Sequence, residues 1–350
     1  MIPERRPTRL PVPIARALSK LYELGIDRQN RKYDQGIGVT TLDRPVISVG
    51  NLSAGGTGKT PLVQHIVRTL QAHNHHPVIA MRGYKAQKGE LGDEAHEHLD
   101  ALGDLPIVAQ PDRIAGLRAL FATDKGKAVD VVVLDDGFQH RKIARDLDIV
   151  VIDSTNPPTN DALLPLGFLR ERMDSLSRAD LVVLTHTDRV SDLETLEHNL
   201  RRWIPSTSPI IHSCHTWRDL RVEEDSEPVR AAPLDELRGE QVLAVCGIGT
   251  PDPFLRTLES HGAERTETII RKDHEPYSEH DIDSILRTAQ RAGLKTLVTT
   301  RKDRARMGDR ADRILRSDGG FRVITPTLEL GILRGEHELL EALKRVCPGS

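Results

Sequence analysis

The sequence predicts an α/β protein with a mainly parallel sheet, followed by a second, smaller α/β domain. Three observations carry this expectation. The chain has 350 residues, long for one hydrophobic core, so two compact domains are expected. Its strand-like runs are continuous and aliphatic rather than alternating, as in strands buried on both faces of a parallel sheet. These runs alternate with amphipathic helical patterns, which predicts a doubly wound arrangement with right-handed crossovers.

Taken in order, residues 14–26 read as a basic amphipathic helix. Ile14, Leu18, Leu21 and Tyr22 share one face, Arg16 and Lys20 lie away from it, and Arg28, Arg31 and Lys32 follow. Such a helix either lies on an anionic membrane surface or packs its stripe on the domain. Strand runs follow at 46–49, 77–81, 129–134, 149–152, 181–184, 242–245 and 296–298. Between the first two, Leu62, Val63, Ile66, Val67 and Leu70 mark one face of a helix. Turn residues at 154–161, with Pro157 and Pro158, suggest a boundary between a first domain at 1–153 and a second at 157–325. The polar stretch 218–233 reads as an exposed loop, and a last helix is expected from about Glu336 to Val346.

Composition narrows the class. A hydrophobic fraction of 38% and a charged fraction of 29% suit a soluble globular chain. A net charge of -3 and only 3% aromatic residues do not suggest a nucleic-acid binder. The three cysteines, Cys214, Cys246 and Cys347, are scattered and form no metal-binding pair, which suits a reducing compartment. No apolar run approaches the roughly 20 residues that span a bilayer. The histidines at 73, 75 and 76, and at 96 and 98, read as solvated helix ends, and no zinc site is assigned.

The sharpest signal is Ser53-Ala54-Gly55-Gly56-Thr57-Gly58-Lys59-Thr60, after a strand and at the opening of a helix. Glycines let backbone N–H groups converge on phosphate oxygens, and the helix N-terminus adds partial positive charge. Lys59 can reach the β- and γ-phosphates, and the Thr60 hydroxyl can ligate Mg²⁺. Pro61 is tolerated in the first turn. The loop implies a nucleoside triphosphate such as ATP, with Mg²⁺, in a three-layer α/β/α nucleotide-binding domain. A second element supports it: the apolar run 129–134 ends in Asp135-Asp136-Gly137, the form of a Mg²⁺-orienting acidic strand. Adjacent strand residues point to opposite faces, so only one of the two carboxylates faces the metal if strand geometry persists.

These residues, with others in order, resemble the tetraacyldisaccharide 4'-kinase family. The resemblance runs through Ser48-Val49-Gly50-Asn51-Leu52-Ser53, Arg82-Gly83-Tyr84, Gly92-Asp93-Glu94 and Asp135-Asp136-Gly137-Phe138-Gln139-His140. It continues through Leu163-Leu164-Pro165-Leu166-Gly167, Leu169-Arg170-Glu171, Gly247-Ile248-Gly249, Asp273-His274 and Thr300-Arg301-Lys302-Asp303, covering roughly residues 14–330. It implies transfer of the ATP γ-phosphate to the 4' hydroxyl of a tetraacylated glucosamine disaccharide 1-phosphate. It also implies peripheral contact with the cytoplasmic face of the inner membrane and a C-terminal helix, within 332–350, that returns to the first domain. The roles it implies are Asp93 as general base partnered by His274, Lys59 and Arg170 at the phosphates, and Thr60, Asp135 and Asp136 toward Mg²⁺. The alternatives are a nucleotide-dependent switch with the same loop, or a kinase of a soluble small molecule. A GTP-using switch is disfavoured because Thr300-Arg301-Lys302-Asp303 lacks the Asn of the guanine motif.

Overall fold

The computed structural model describes residues 7–8, 10–54, 58–83, 92–249, 251–272, 275–317 and 320–348, without the side chain of Asp93. Two compact units emerge. The first comprises residues up to His215 together with those from Leu330 onward, and the second runs from Thr216 to Glu329.

In the first unit a long helix, α1 (Val12–Asp34), precedes β1 (Val46–Gly50), α2 (Lys59–Ala72), β2 (Pro77–Met81), α3 (Asp93–Leu102) and β3 (Ile107–Ala109). Then come α4 (Arg113–Phe121), the short α5 (Asp124–Lys127), β4 (Val131–Asp135), β5 (Leu147–Asp153), β6 (Leu181–Thr185) and α6 (Leu193–Arg201). Strand β7 (Ile210–Glu223) leads into the second unit. There follow β8 (Arg230–Ala232), β9 (Gln241–Cys246), α7 (Pro251–Ser260), β10 (Glu264–Ile270), α8 (Glu279–Ala292), β11 (Thr296–Thr299), α9 (Arg301–Met307) and α10 (Ala311–Leu315). Strand β12 (Arg322–Arg334) leads back, and α11 (Glu336–Val346) closes the chain. The turn at 154–161 lies inside the first unit, and the division falls at His215, so the first unit extends well past residue 153.

Sheet order in the first unit is β7-β6-β5-β1-β4-β2-β3, with every pair parallel. Each of β1, β2, β4 and β6 is buried along its whole length, as the unbroken aliphatic runs require. Side chains alternate between two cores. Ile47, Val49, Val131 and Val133 meet Leu62, Val63, Ile66 and Val67 of α2 and Leu339 and Leu343 of α11. Val46, Val132 and Leu134 meet Val78, Ala80, Val108 and Leu117 on the other face. The apolar stripe of α2 is completely buried, contributing about 1.5–3 kcal/mol for each large side chain. Helix α11 buries Leu339, Ala342 and Leu343 in the same core, so the C-terminal helix belongs to the first unit.

Strand order places β1 between β4 and β5, while the chain after β1 crosses to β2 beyond β4. Such a reversal leaves a crevice at the carboxyl ends of the strands, where open α/β sheets bind ligands. The phosphate loop and Asp135-Asp136 both leave the sheet there.

In the second unit β10-β9-β11-β12 are parallel, with β8 antiparallel to the later part of β7. The stretch 218–233, expected as a loop, therefore contains paired strand. Leu220 pairs with Ala232 and Val222 with Arg230, and Trp217, Leu220 and Val222 point into a core. Alternation with Arg218, Asp219 and Arg221 hid this half-buried strand behind a polar composition.

Candidate active site

The backbone around β1 is set by close approach. A Cβ on Gly50 would lie 2.5 Å from the Phe138 nitrogen, so only glycine lets the segment after β4 pass here. Gly58, the residue before α2, has φ +80, which a side chain would strain. Residues 55–57, the middle of the predicted loop, lie outside the described residues. Its entry is held firmly. Ala54 N–H donates to Phe168 O at 2.7 Å, and Arg170 N–H to Leu52 O at 2.7 Å, so the segment carrying Arg170 clamps the entry of the loop. Ser53 makes a bridge with Leu169 in the same clamp. Beyond the loop, the rings of His186 and His215 meet edge to face with centroids 4.5 Å apart. His215 Nε2 would lie 3.0 Å from a Cβ at Gly58.

Lys59 opens α2 at the positive end of the helix dipole, a place that disfavours a cation unless something anionic awaits it. Its ammonium donates to Asn51 Oδ1 at 3.1 Å and lies 3.5 Å from Asp136 Oδ1. Asn51 is fixed in turn: its amide donates to Ser53 O, and its carbonyl accepts from Gln139. Asp136 has φ +52, so the chain turns at the end of β4 and the strand rule of opposite faces stops applying. Its carboxylate accepts from Arg170 Nη1 at 2.7 and 2.8 Å. Arg113, buried on α4, donates to the Asp136 carbonyl at 3.4 Å. Burial alone would raise the Asp136 carboxyl, but Lys59 and Arg170 outweigh it and hold it below the usual carboxylate range. Three cations thus surround the point where a triphosphate would end.

Asp135 is the inner member of the pair, 6% exposed, and accepts from His98 Nε2 at 3.2 Å. His98 is therefore not a solvated residue at a helix end: it is completely buried, because the inner face of α3 meets the end of β4. Glu94, one turn earlier, has a carboxyl raised by burial first and then by Asp135 and Asp136. Carboxylates crowded in this way favour a bound cation. Asp135 and Asp136 are hard oxygen donors of the kind that suits Mg²⁺, which takes one or two carboxylates and completes its shell with phosphate and water. Asp93 opens α3 beside Glu94, and its side chain lies outside the described residues, as does His274. Sequence reasoning missed His98 and Arg113. Neither stands in a motif, and only the Asp at N-cap 112 marked the start of α4.

Thr300-Arg301-Lys302-Asp303 lies in the second unit. Asp303 there is fully buried, accepting from Gly247 N–H, Thr300 Oγ1 and Tyr277 Oη. Thr300 caps α9 by accepting from the Asp303 N–H, and the Asp303 carboxylate ties Gly247 to that helix.

Helix α1 sits on the clamp. Ser19 Oγ donates to Leu163 O, Tyr22 Oη to Arg170 O, and the Asn30 amide to Glu171. Its opposite face holds Ile14, Leu18, Leu21 and Leu24 at 50%, 41%, 65% and 66% exposure. Packing on the domain is thus not what occupies that stripe in the described chain, and Tyr22 belongs to the inner face. No helix among the described residues is long and apolar enough to cross a membrane.

One group near the acidic pair makes the site's stability depend on pH. Burial first, then Arg113, Arg145 and Lys142, depress His140 to about 4 from an ordinary 6.5. The unfolded chain therefore binds the extra proton over that window. The stabilisation from a neutral His140 is complete above pH 6.5 and is lost as pH falls toward 4. Thermal melts of the wild type and His140→Gln across this range check it: the variant's melting temperature should fall less steeply. Parallel curves would contradict the assignment.

A sheet with a phosphate loop after β1, an acidic pair after β4 and converging cations defines a P-loop phosphotransferase. Comparison with known proteins makes this specific. The family model for tetraacyldisaccharide-1-P 4'-kinase matches residues 12–347, and this chain belongs to that family. A tetraacyldisaccharide 4'-kinase of Chlorobaculum tepidum is 36% identical, with 95% of this chain and 98% of that protein covered. Another, from Halothermothrix orenii, is 35% identical over 82% of this chain and 80% of its own length. A crystal structure of LpxK from Aquifex aeolicus in complex with ATP superposes with a TM-score of 0.68 at 29% identity, covering 94% of this chain and 97% of that one.

Proposed function

We propose that this chain transfers the γ-phosphate of ATP to the 4' hydroxyl of a tetraacylated glucosamine disaccharide 1-phosphate, a step of lipid A biosynthesis. The single observation that carries the mechanism is the convergence of Lys59, Arg170 and Arg113 on Asp136, next to the buried Asp135. Family membership supplies the acceptor and leaves the switch and soluble-substrate readings without support.

Phosphoryl transfer has a loose transition state with charge spread over the equatorial oxygens, so the protein's task is positioning and neutralisation. Lys59 and Arg170, parked on Asp136 in this structure, are within reach of incoming phosphates and exchange one anion for another. Arg170 is suited to a planar, two-point contact. Residues 53–60 hold the triphosphate through backbone N–H groups. Bound Mg²⁺ would draw charge off the β- and γ-phosphates, with Thr60, Asp135 and Asp136 as the groups that hold it. Asp93, with His274 as its partner, takes the proton of the attacking hydroxyl.

The acceptor carries acyl chains, and α1 offers them a surface. Its outer stripe is apolar, Arg16, Lys20, Arg28, Arg31 and Lys32 surround it, and its inner face bonds the segment that holds Arg170. We place the chain as a peripheral protein on the cytoplasmic face of the inner membrane. Each nearby Lys or Arg adds about 1 kcal/mol on anionic lipid. Leu18→Glu with Leu21→Glu should strongly reduce co-sedimentation with anionic vesicles and turnover of long-chain acceptor, while ATP binding and melting temperature hold. Raising salt should weaken wild-type binding only in part. Absence of wild-type vesicle binding at low salt would contradict the surface role and leave the kinase reading intact.

The function itself is tested by supplying labelled ATP with the disaccharide 1-phosphate, with soluble sugars, and with water alone. Label should pass only to the lipid disaccharide. Equal transfer to a soluble sugar, or hydrolysis alone, would overturn the reading.

A further inference from the structure

We propose that His98 is a positioning residue for phosphoryl transfer: it fixes the Asp135 carboxylate toward the divalent cation and couples it to the helix that begins with Asp93 and Glu94. The inference rests on the reading of Asp135 as a metal-holding group.

His98 is 0% exposed, on the inner face of α3. Its Nε2 lies 3.2 Å from Asp135 Oδ2, and its Nδ1 is buried with no hydrogen-bond partner among the described residues. A buried imidazole with one nitrogen unsatisfied is a costly choice where a leucine would fill the space. Its polar compensation is the bond to Asp135. A carboxylate only accepts, so Nε2 is the nitrogen that donates. The bond stops rotation of the carboxylate and commits Oδ2, leaving Oδ1 as the oxygen offered to a cation. Outer partners of this kind set the orientation of metal-holding groups and with it their affinity.

The same helix adds a second term. Glu94 and His98 are one turn apart and share a face. Glu94 is held protonated to higher pH by burial and by repulsion from Asp135 and Asp136. Lys59 offsets part of that repulsion, and His98 adds a bond to the Asp135 carboxylate from the same face of α3. His98 thus holds the start of α3, where Asp93 sits, against the acidic pair until a cation neutralises it. The ring also fits the local packing: Gln64 of α2 donates to the Glu97 carbonyl beside it, fixing α3 against the helix that carries Lys59.

The test uses His98→Leu, His98→Gln and Asp135→Asn in the full chain. Binding of Mn²⁺ with a non-hydrolysable ATP analogue is followed by calorimetry, the Mg²⁺ dependence of transfer is titrated, and melting temperatures are taken without metal. His98→Leu should raise the metal dissociation constant and the Mg²⁺ activation constant by on the order of 10–100-fold. Much of kcat should return at saturating Mg²⁺, and the melting temperature should not fall. His98→Gln keeps an N–H donor and should recover much of the loss. If the leucine variant fails to fold, His98→Met, which adapts its shape, makes the same comparison. Wild-type metal affinity in the apolar variant would overturn the proposal, as would a loss of kcat that Mg²⁺ does not relieve. Asp135→Asn separates the two levels. If it weakens metal binding and His98→Leu does not, the positioning role alone fails. If Asp135→Asn itself leaves metal affinity unchanged, the metal-holding reading fails and the proposal falls with it.

Discussion

Lys59→Ala should remove transfer almost entirely, with kcat lower by at least about 10²–10³-fold, as for loss of one preorganised charge-stabilising group. The folded structure should survive. Lys59 sits at the positive end of α2, where a cation is unfavourable in the absence of phosphate, and its partners Asn51 and Asp136 retain Gln139 and Arg170. Its charge acts chiefly on the migrating phosphoryl group, so kcat should fall more than ATP affinity. Steady-state kinetics with a parallel melting curve measure both. Activity within a few-fold of wild type would remove Lys59 from the chemistry.

The second large effect concerns the proton. Asp93→Ala and His274→Ala should each lower kcat by on the order of 10²–10⁴-fold, the usual worth of general base assistance, with little change in the ATP KM. If they act as one unit, the double variant should lose much less than the product of the two. Losses that multiply, or a change confined to ATP affinity, would dissolve the pair. The neighbourhood of Asp93 favours the expectation. It opens α3, and the residues that follow on that helix, Glu94 and His98, face Asp135 and Asp136.

How far the sequence led can be judged element by element. Runs such as 131–134 and 181–184 read as strands because burial on both faces leaves only aliphatic residues. The last helix was legible from Glu336 to Val346, where Leu339, Ala342 and Leu343 repeat at helical spacing. Loop and acidic pair announced themselves by residue type and by position after strands. His98 did not. One of two histidines on a short polar helix has no periodicity, and its burial is decided by a carboxylate at the end of β4, distant in sequence. Asp136 was only half legible: the pattern gave the acidic pair, but the positive φ that turns it toward Lys59 and Arg170 is a local backbone fact. The division between units was hidden for another reason. It falls within two long strands, β7 and β12, where no proline or glycine cluster marks a linker.

The atom that receives the phosphate defines the reaction most directly. Purified chain, Mg²⁺, ATP and the tetraacyl disaccharide 1-phosphate should give one lipid product. Phosphorus–proton correlation on that product should place a new phosphomonoester on the 4' carbon, with the 1-phosphate unchanged. A phosphate at any other hydroxyl, a diphosphate at position 1, or release of inorganic phosphate with the lipid unmodified would rule out 4' transfer.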